Sequence, residues 1–126
     1  MRIFEVVQYP VERFGSTGVV MDALPPATDG RTQVHVARVA AGGTIGRHRA
    51  TRTQVFAVVA GECTVVGDDD ARATVTPGRL ALWSPGEEHQ SWAVSDSVVV
   101  VLETDGDVEL GGRFRAVAGD PGNRRA

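Results

Sequence analysis

Gly43-Thr-Ile-Gly-Arg-His48-Arg-Ala50-Thr-Arg-Thr-Gln54-Val-Phe-Ala-Val-Val-Ala-Gly61 is the stretch that decides the fold. In an extended strand, Gln54, Phe56, Val58 and Ala60 point one way and Val55, Ala57 and Val59 the other. Both rows are apolar apart from Gln54, so this strand should be covered on both faces. Val98 to Leu102 repeats the pattern. Outward from here, short apolar segments are divided by Gly, Pro and Asp clusters, as in an all-β sandwich or barrel. The expected strands are Ile3–Gln8, Gly18–Ala23, Gln33–Ala40, Thr53–Ala60, Cys63–Val66, Ala71–Thr76, Leu80–Trp83, Gln90–Val94 and Ser97–Glu103. Gly67-Asp-Asp-Asp70 reads as a hairpin loop, and Thr76-Pro77-Gly78 and Ser84-Pro85-Gly86 as turns. No segment carries helical periodicity over a useful length.

The 126 residues suit one domain, expected over 1–118, with a polar tail at 119–126 that should fray. Forty-two per cent hydrophobic and 23% charged residues are ordinary for a globular protein. A net charge of −3 argues against a nucleic-acid partner. The longest apolar run is too short for a membrane span, and the first residues lack a signal-peptide pattern. With a single cysteine, a cytoplasmic location is expected. All 13 basic residues are arginines.

A second block, Gly78-Arg-Leu-Ala-Leu-Trp-Ser-Pro85-Gly86-Glu-Glu-His89, completes a pair. Together the two blocks resemble the motifs of the cupin family of small β-barrels. The first family motif reads Gly, five residues, His-x-His, a short gap, Glu, six residues, Gly. The second reads Gly, five residues, Pro-x-Gly, two residues, His. His48 and His89 each match a ligand position, but Ala50 stands for the second histidine, Gln54 for the glutamate and Ser84 for the proline. The Gly43 to His48 spacing is one residue short. More narrowly, the chain resembles small bacterial single-domain cupins through His48, Ala50, Gln54, Phe56, Val58, Val59, Gly61, Glu62, Trp83, Gly86, Glu87 and His89, and through Phe14-Gly15-Ser16. The resemblance spans Gln33 to Glu103. It implies a cupin-type double-stranded β-helix (jelly-roll) barrel with a pocket, and a homodimer packed on an outer sheet face.

The expected pocket holds His48, Gln54, Phe56 and His89, with Arg52 at the mouth to hold a carboxylate or phosphate and Glu87 as the carboxylate nearest His89. A divalent metal (Zn, Ni, Cu, Fe or Mn) would have His48, Gln54 and His89 as ligands. A glutamine oxygen is a poor ligand for such ions, and this set carries no charge to offset the metal. The alternative is that the two histidines hydrogen-bond each other, Gln54 or an organic ligand. Arg47 and Arg49 should face solvent. His35 sits in a strand whose face the sequence leaves open. Cys63 reads as a small buried hydrophobe, the three aspartates as a hairpin tip, and Trp83 and Trp92 as packing residues or a stacking wall.

Three functions fit. The first is a binding or sensing protein for a small organic molecule. The second is an acid–base enzyme of epimerase or isomerase type that uses His48 or His89. The third is a metal-dependent oxygenase or lyase. Val55, Ala57 and Val59, with Val98 to Leu102, supply the apolar outer rows for the expected dimer.

Overall fold

The computed structural model describes residues 1–117; the expected tail at 119–126 lies outside the described residues. Twelve strands run in chain order: β1 Arg2–Val6, β2 Tyr9–Val11, β3 Val19–Met21, β4 Thr32–Val39, β5 Thr44–Arg49, β6 Thr53–Ala60, β7 Cys63–Val66, β8 Arg72–Val75, β9 Arg79–Trp83, β10 Glu88–Ala93, β11 Ser97–Thr104 and β12 Phe114–Ala116. Each of the nine expected segments holds a strand. The three that the sequence left unassigned are β2, β5 and β12. Two are three residues long, and β5 carries Gly46 and two arginines in place of an alternating apolar pattern.

A six-stranded antiparallel sheet has the order β12-β1-β9-β6-β11-β4, and a four-stranded sheet the order β5-β10-β7-β8. Their facing sides bury Ile3, Phe56, Val58, Cys63, Val65, Val75, Ala81, Trp83, Val99 and Val101. Full burial of a side chain of this kind stabilises the fold by about 1.5–3 kcal/mol. This packed interior makes the molecule an all-β jelly-roll barrel.

The outer face of the large sheet has its own cover. Phe4, Val6, Val55, Ala57, Leu80, Leu82 and Leu102 are buried there with Val108, under Leu24, Leu110 and Phe114. The second layer expected over Val55 is therefore built in part from the chain's own loops, because the segments before β4 and after β11 fold back across the sheet. Val59 differs from its row. It falls at a register shift between β6 and β11 and is 55% exposed. Val34 and Val36, on the edge strand β4, are also exposed.

Two turns need glycine. Gly61 opens the two-residue link between β6 and β7 with φ +88°, which suits a tight hairpin. In the turn from β9 to β10, Gly86 has φ +88° after Pro85, and the Glu87 N–H donates to the Ser84 carbonyl at 3.1 Å. That turn is tied to the end of β5: the Ala50 N–H donates to the Glu87 carbonyl, and the Gly86 N–H to the Ala50 carbonyl. The three aspartates lie where β7 turns into β8, as expected. Phe14-Gly15-Ser16 sits at a 3₁₀ turn between β2 and β3, with Phe14 exposed.

Candidate functional site

The site grows from a register row that crosses four adjacent strands of the large sheet. Gln33 on β4 lies opposite Glu103 on β11, Glu103 opposite Gln54 on β6, and Gln54 opposite Trp83 on β9. Directly opposed residues of an antiparallel pair point to one face. Trp83 belongs to the interior core, so all four residues face the interior. One step along, His35 lies opposite Val101, another interior residue. The face of His35 is thereby assigned: it points inward, and it is exposed because β4 is an edge strand.

The four-stranded sheet supplies the other wall. His89 on β10 lies opposite His48 on β5. The next aligned pair is Ser91 with Ile45, so Gly46 and Arg47 oppose Gln90 alone. This bulge resolves the short spacing of the first motif. Ile45 and His48 are three apart, and strict alternation would place them on opposite faces. One extra residue restores His48 to the inward side.

The rings make a continuous stack. The His48 and His89 centroids are 4.3 Å apart at an interplanar angle of 60°. His89 lies against Trp83 at 4.4 Å and 26°, and Phe56 meets Trp83 edge-on at 5.6 Å. His89 is 2% exposed and Trp83 fully buried, whereas His48 is exposed. His48 was expected inside; it stands at the mouth instead, because β5 is the edge of its sheet.

Hydrogen bonds fix which nitrogens are free. His89 Nδ1 lies 3.3 Å from the Glu87 carbonyl, and His48 Nδ1 lies 2.7 Å from the Gly46 carbonyl. A carbonyl only accepts, so each Nδ1 carries the proton and each neutral ring keeps its lone pair on Nε2. Two such nitrogens cannot hydrogen-bond each other, so that expected pairing is excluded for the neutral rings. Desolvation by burial lowers the His89 pKa and holds the ring neutral, against smaller upward effects from the Glu87 carbonyl and from the Glu87 and Glu103 carboxylates. His89 Nε2 and Trp83 Nε1 are both buried without a hydrogen-bond partner.

Other expected members stand elsewhere. The Glu87 carboxylate accepts from the Ser84 N–H at 3.1 Å and pairs with the Met1 ammonium. Held by these partners, it acts on His89 through its charge. The Arg52 guanidinium is paired with Asp105 at 3.0 Å, a carboxylate supplied by the end of β11, and is not a free anion clamp. Gln54 and Phe56 are buried on the inner face as expected. Arg47 points outward and bridges Glu88 and Asp70 at 2.9 and 2.7 Å. Trp92 also lies outside the barrel, with the Arg72 guanidinium 4.5 Å above its ring. Burial raises the Cys63 pKa and keeps the thiol protonated, so it has no nucleophilic character. Glu103 is the residue that sequence reasoning missed. It shares parity with Val99 and Val101, but only the pairing of β11 with β6 brings it beside Gln54.

The donor set does not fit a metal centre. Among the described residues, no three His, Cys, Asp or Glu side chains converge to hold an ion. Ala50 offers no donor atom, and the unpaired Trp83 N–H facing the same interior cannot ligate a cation.

The fold agrees with the comparisons. The cupin domain family matches residues 35–105, and the chain belongs to that family. Among solved structures, a dTDP sugar isomerase from Desulfovibrio desulfuricans superposes with a TM-score of 0.62 at 18% identity, covering 96% of this chain and 85% of that one. KdgF from Halomonas gives 0.56 at 20% identity, with 68% and 76% covered. A Streptococcus pyogenes protein of unknown function gives 0.57 at 18%, with 64% and 69% covered. At these identities the likeness is one of fold. None of the curated proteins matches the chain. Among the described residues, no helix is long and apolar enough to cross a membrane.

Proposed function

We propose that this cupin binds a small polar organic molecule against the inner wall formed by His89, Trp83 and Gln54, with His48 at the entrance. One observation carries the reading. A buried acceptor, His89 Nε2, and a buried donor, Trp83 Nε1–H, both lack partners on rings that stack on each other. Leaving such groups unpaired costs about 1–3 kcal/mol each, and a ligand that both donates and accepts recovers that cost. A hydroxyl group does both.

The test is an NMR titration of ¹⁵N-labelled protein with small hydroxylated molecules. The Trp83 indole N–H should shift while the outward Trp92 stays still. An unmoved Trp83 resonance, or equal movement of both, ends the proposal.

A second reading is an acid–base enzyme. It is supported by His89 being held neutral with Nε2 free, the state a general base requires. The isomerase among the structural neighbours is compatible with it. Exchange of a bound molecule's carbon-bound hydrogen with D₂O, lost in His89→Ala, would favour this reading over simple binding.

A further inference from the structure

The interior carries one charged group that the site described so far leaves unused. Glu103 is half-buried on the inward face, between Gln33 and Gln54, and close enough to His89 to act on it electrostatically. It has no hydrogen-bond or ion-pair partner among the described residues, and the arginine contacts seen there lie elsewhere. Arg2 lies over Phe4, Arg47 is paired with Glu88 and Asp70, Arg52 with Asp105, and Arg72 lies over Trp92. Arg38 lies opposite Val98, one step out of phase with the inward residues Val99 and Val101. Around it the interior wall offers acceptors at Nε2 of the neutral His48 and His89 rings, a donor at the Trp83 N–H, and the amides of Gln33 and Gln54, which can do either.

A wall whose unpaired charge is a carboxylate is complementary to a ligand that carries a positive charge beside a hydroxyl. Resting on the binding site proposed above, we propose that Glu103 makes this pocket selective for small amino alcohols and against anions. The ligand's hydroxyl accepts from Trp83 Nε1–H and donates to His89 Nε2. Its ammonium donates to the Glu103 carboxylate, with Gln33 and Gln54 as flanking acceptors. A carboxylate or phosphate ligand would instead meet an uncompensated negative charge in a partly desolvated space, which is strongly unfavourable.

Three probes of one size separate the terms: ethanolamine, ethylene glycol and glycolate. Each has a hydroxyl, and they differ in the charge of the second group. The readout is the Trp83 indole shift at about pH 8, where ethanolamine is an ammonium ion and imidazoles are neutral. Ethanolamine should bind about tenfold more tightly than glycolate, with ethylene glycol between them. Glu103→Gln should bring the three within about twofold while leaving the ethylene glycol affinity nearly unchanged. Glycolate binding as well as ethanolamine to the unmodified protein would overturn the proposal, whether or not Glu103→Gln folds. So would a charge preference that survives in Glu103→Gln. If none of the three moves the Trp83 resonance, the binding site itself is refuted, which is a different failure from a wrong order of affinities.

Discussion

His89 and His48 stand opposite each other on neighbouring strands, yet they occupy different physical worlds. His89 projects from the four-stranded sheet onto Trp83, is 2% exposed, and has its pKa lowered by burial. His48, 4.3 Å away centroid to centroid, is exposed on an edge strand. The outer face repeats the contrast with Val55, fully buried beneath the chain's own loops, and Val59, more than half exposed. In both pairs the residue type is shared, and position within the sheet sets its chemistry. A motif histidine is thus a buried wall in one place and an exposed gatepost in the other.

The largest effect should come from the outer pair. Val55→Asp would bury an unpaired carboxylate, which costs several kcal/mol and should unfold the domain by circular dichroism. Val59→Asp should leave the fold intact. We propose that the chain forms a homodimer through the exposed part of this face, Val34, Val36 and Val59, so Val59→Asp should yield a folded monomer in sedimentation at micromolar concentration. An unmodified protein that sediments as a monomer would remove the dimer.

Trp83→Ala should destabilise the fold by about 3–5 kcal/mol in denaturant unfolding, since a fully buried indole is lost from the core. A loss under about 1 kcal/mol would mean that the inner wall is not the packed region described.

Next in size is a pH effect. Folded His89 binds its proton less readily than the unfolded imidazole, whose pKa is about 6.5. Its contribution to stability is complete above about pH 6.5 and falls as pH drops below that, until the folded ring itself titrates. His89→Gln should flatten this part of the stability profile, measured as the denaturant midpoint against pH. An unchanged slope would contradict the burial argument. His48→Ala should be smallest, within about 0.5 kcal/mol, as is usual for an exposed site. A large loss there would erase the distinction between wall and mouth.

Much of this was legible in the chain. Two apolar rows in Thr53–Ala60 announced a strand covered on both faces, and glycine and proline punctuation marked the turns. His48, Gln54 and His89 stand out by motif spacing; Gln54 and His89 face the interior from opposite sheets, and His48 stands at the mouth. The strand β5 was harder, because its inward pattern is broken by the bulge at Gly46 and Arg47, and a period of two misassigns one side of any bulge. Arg52 is not free to hold an anion for a related reason: its partner Asp105 comes from far away in sequence, as does the Met1 ammonium that pairs with Glu87.

The sequence by itself determined nine of the twelve strands, their turns and which residues share a face of each regular strand, because these follow from local sterics and a period of two. Tertiary structure alone decided which inward residues become neighbours. The row Gln33, Glu103, Gln54, Trp83 exists only through the pairing of four strands distant in sequence. Burial then did the rest: it left the Trp83 N–H and His89 Nε2 without partners and kept His89 neutral. Desolvation depends on everything packed around a group, and no stretch of chain encodes that locally.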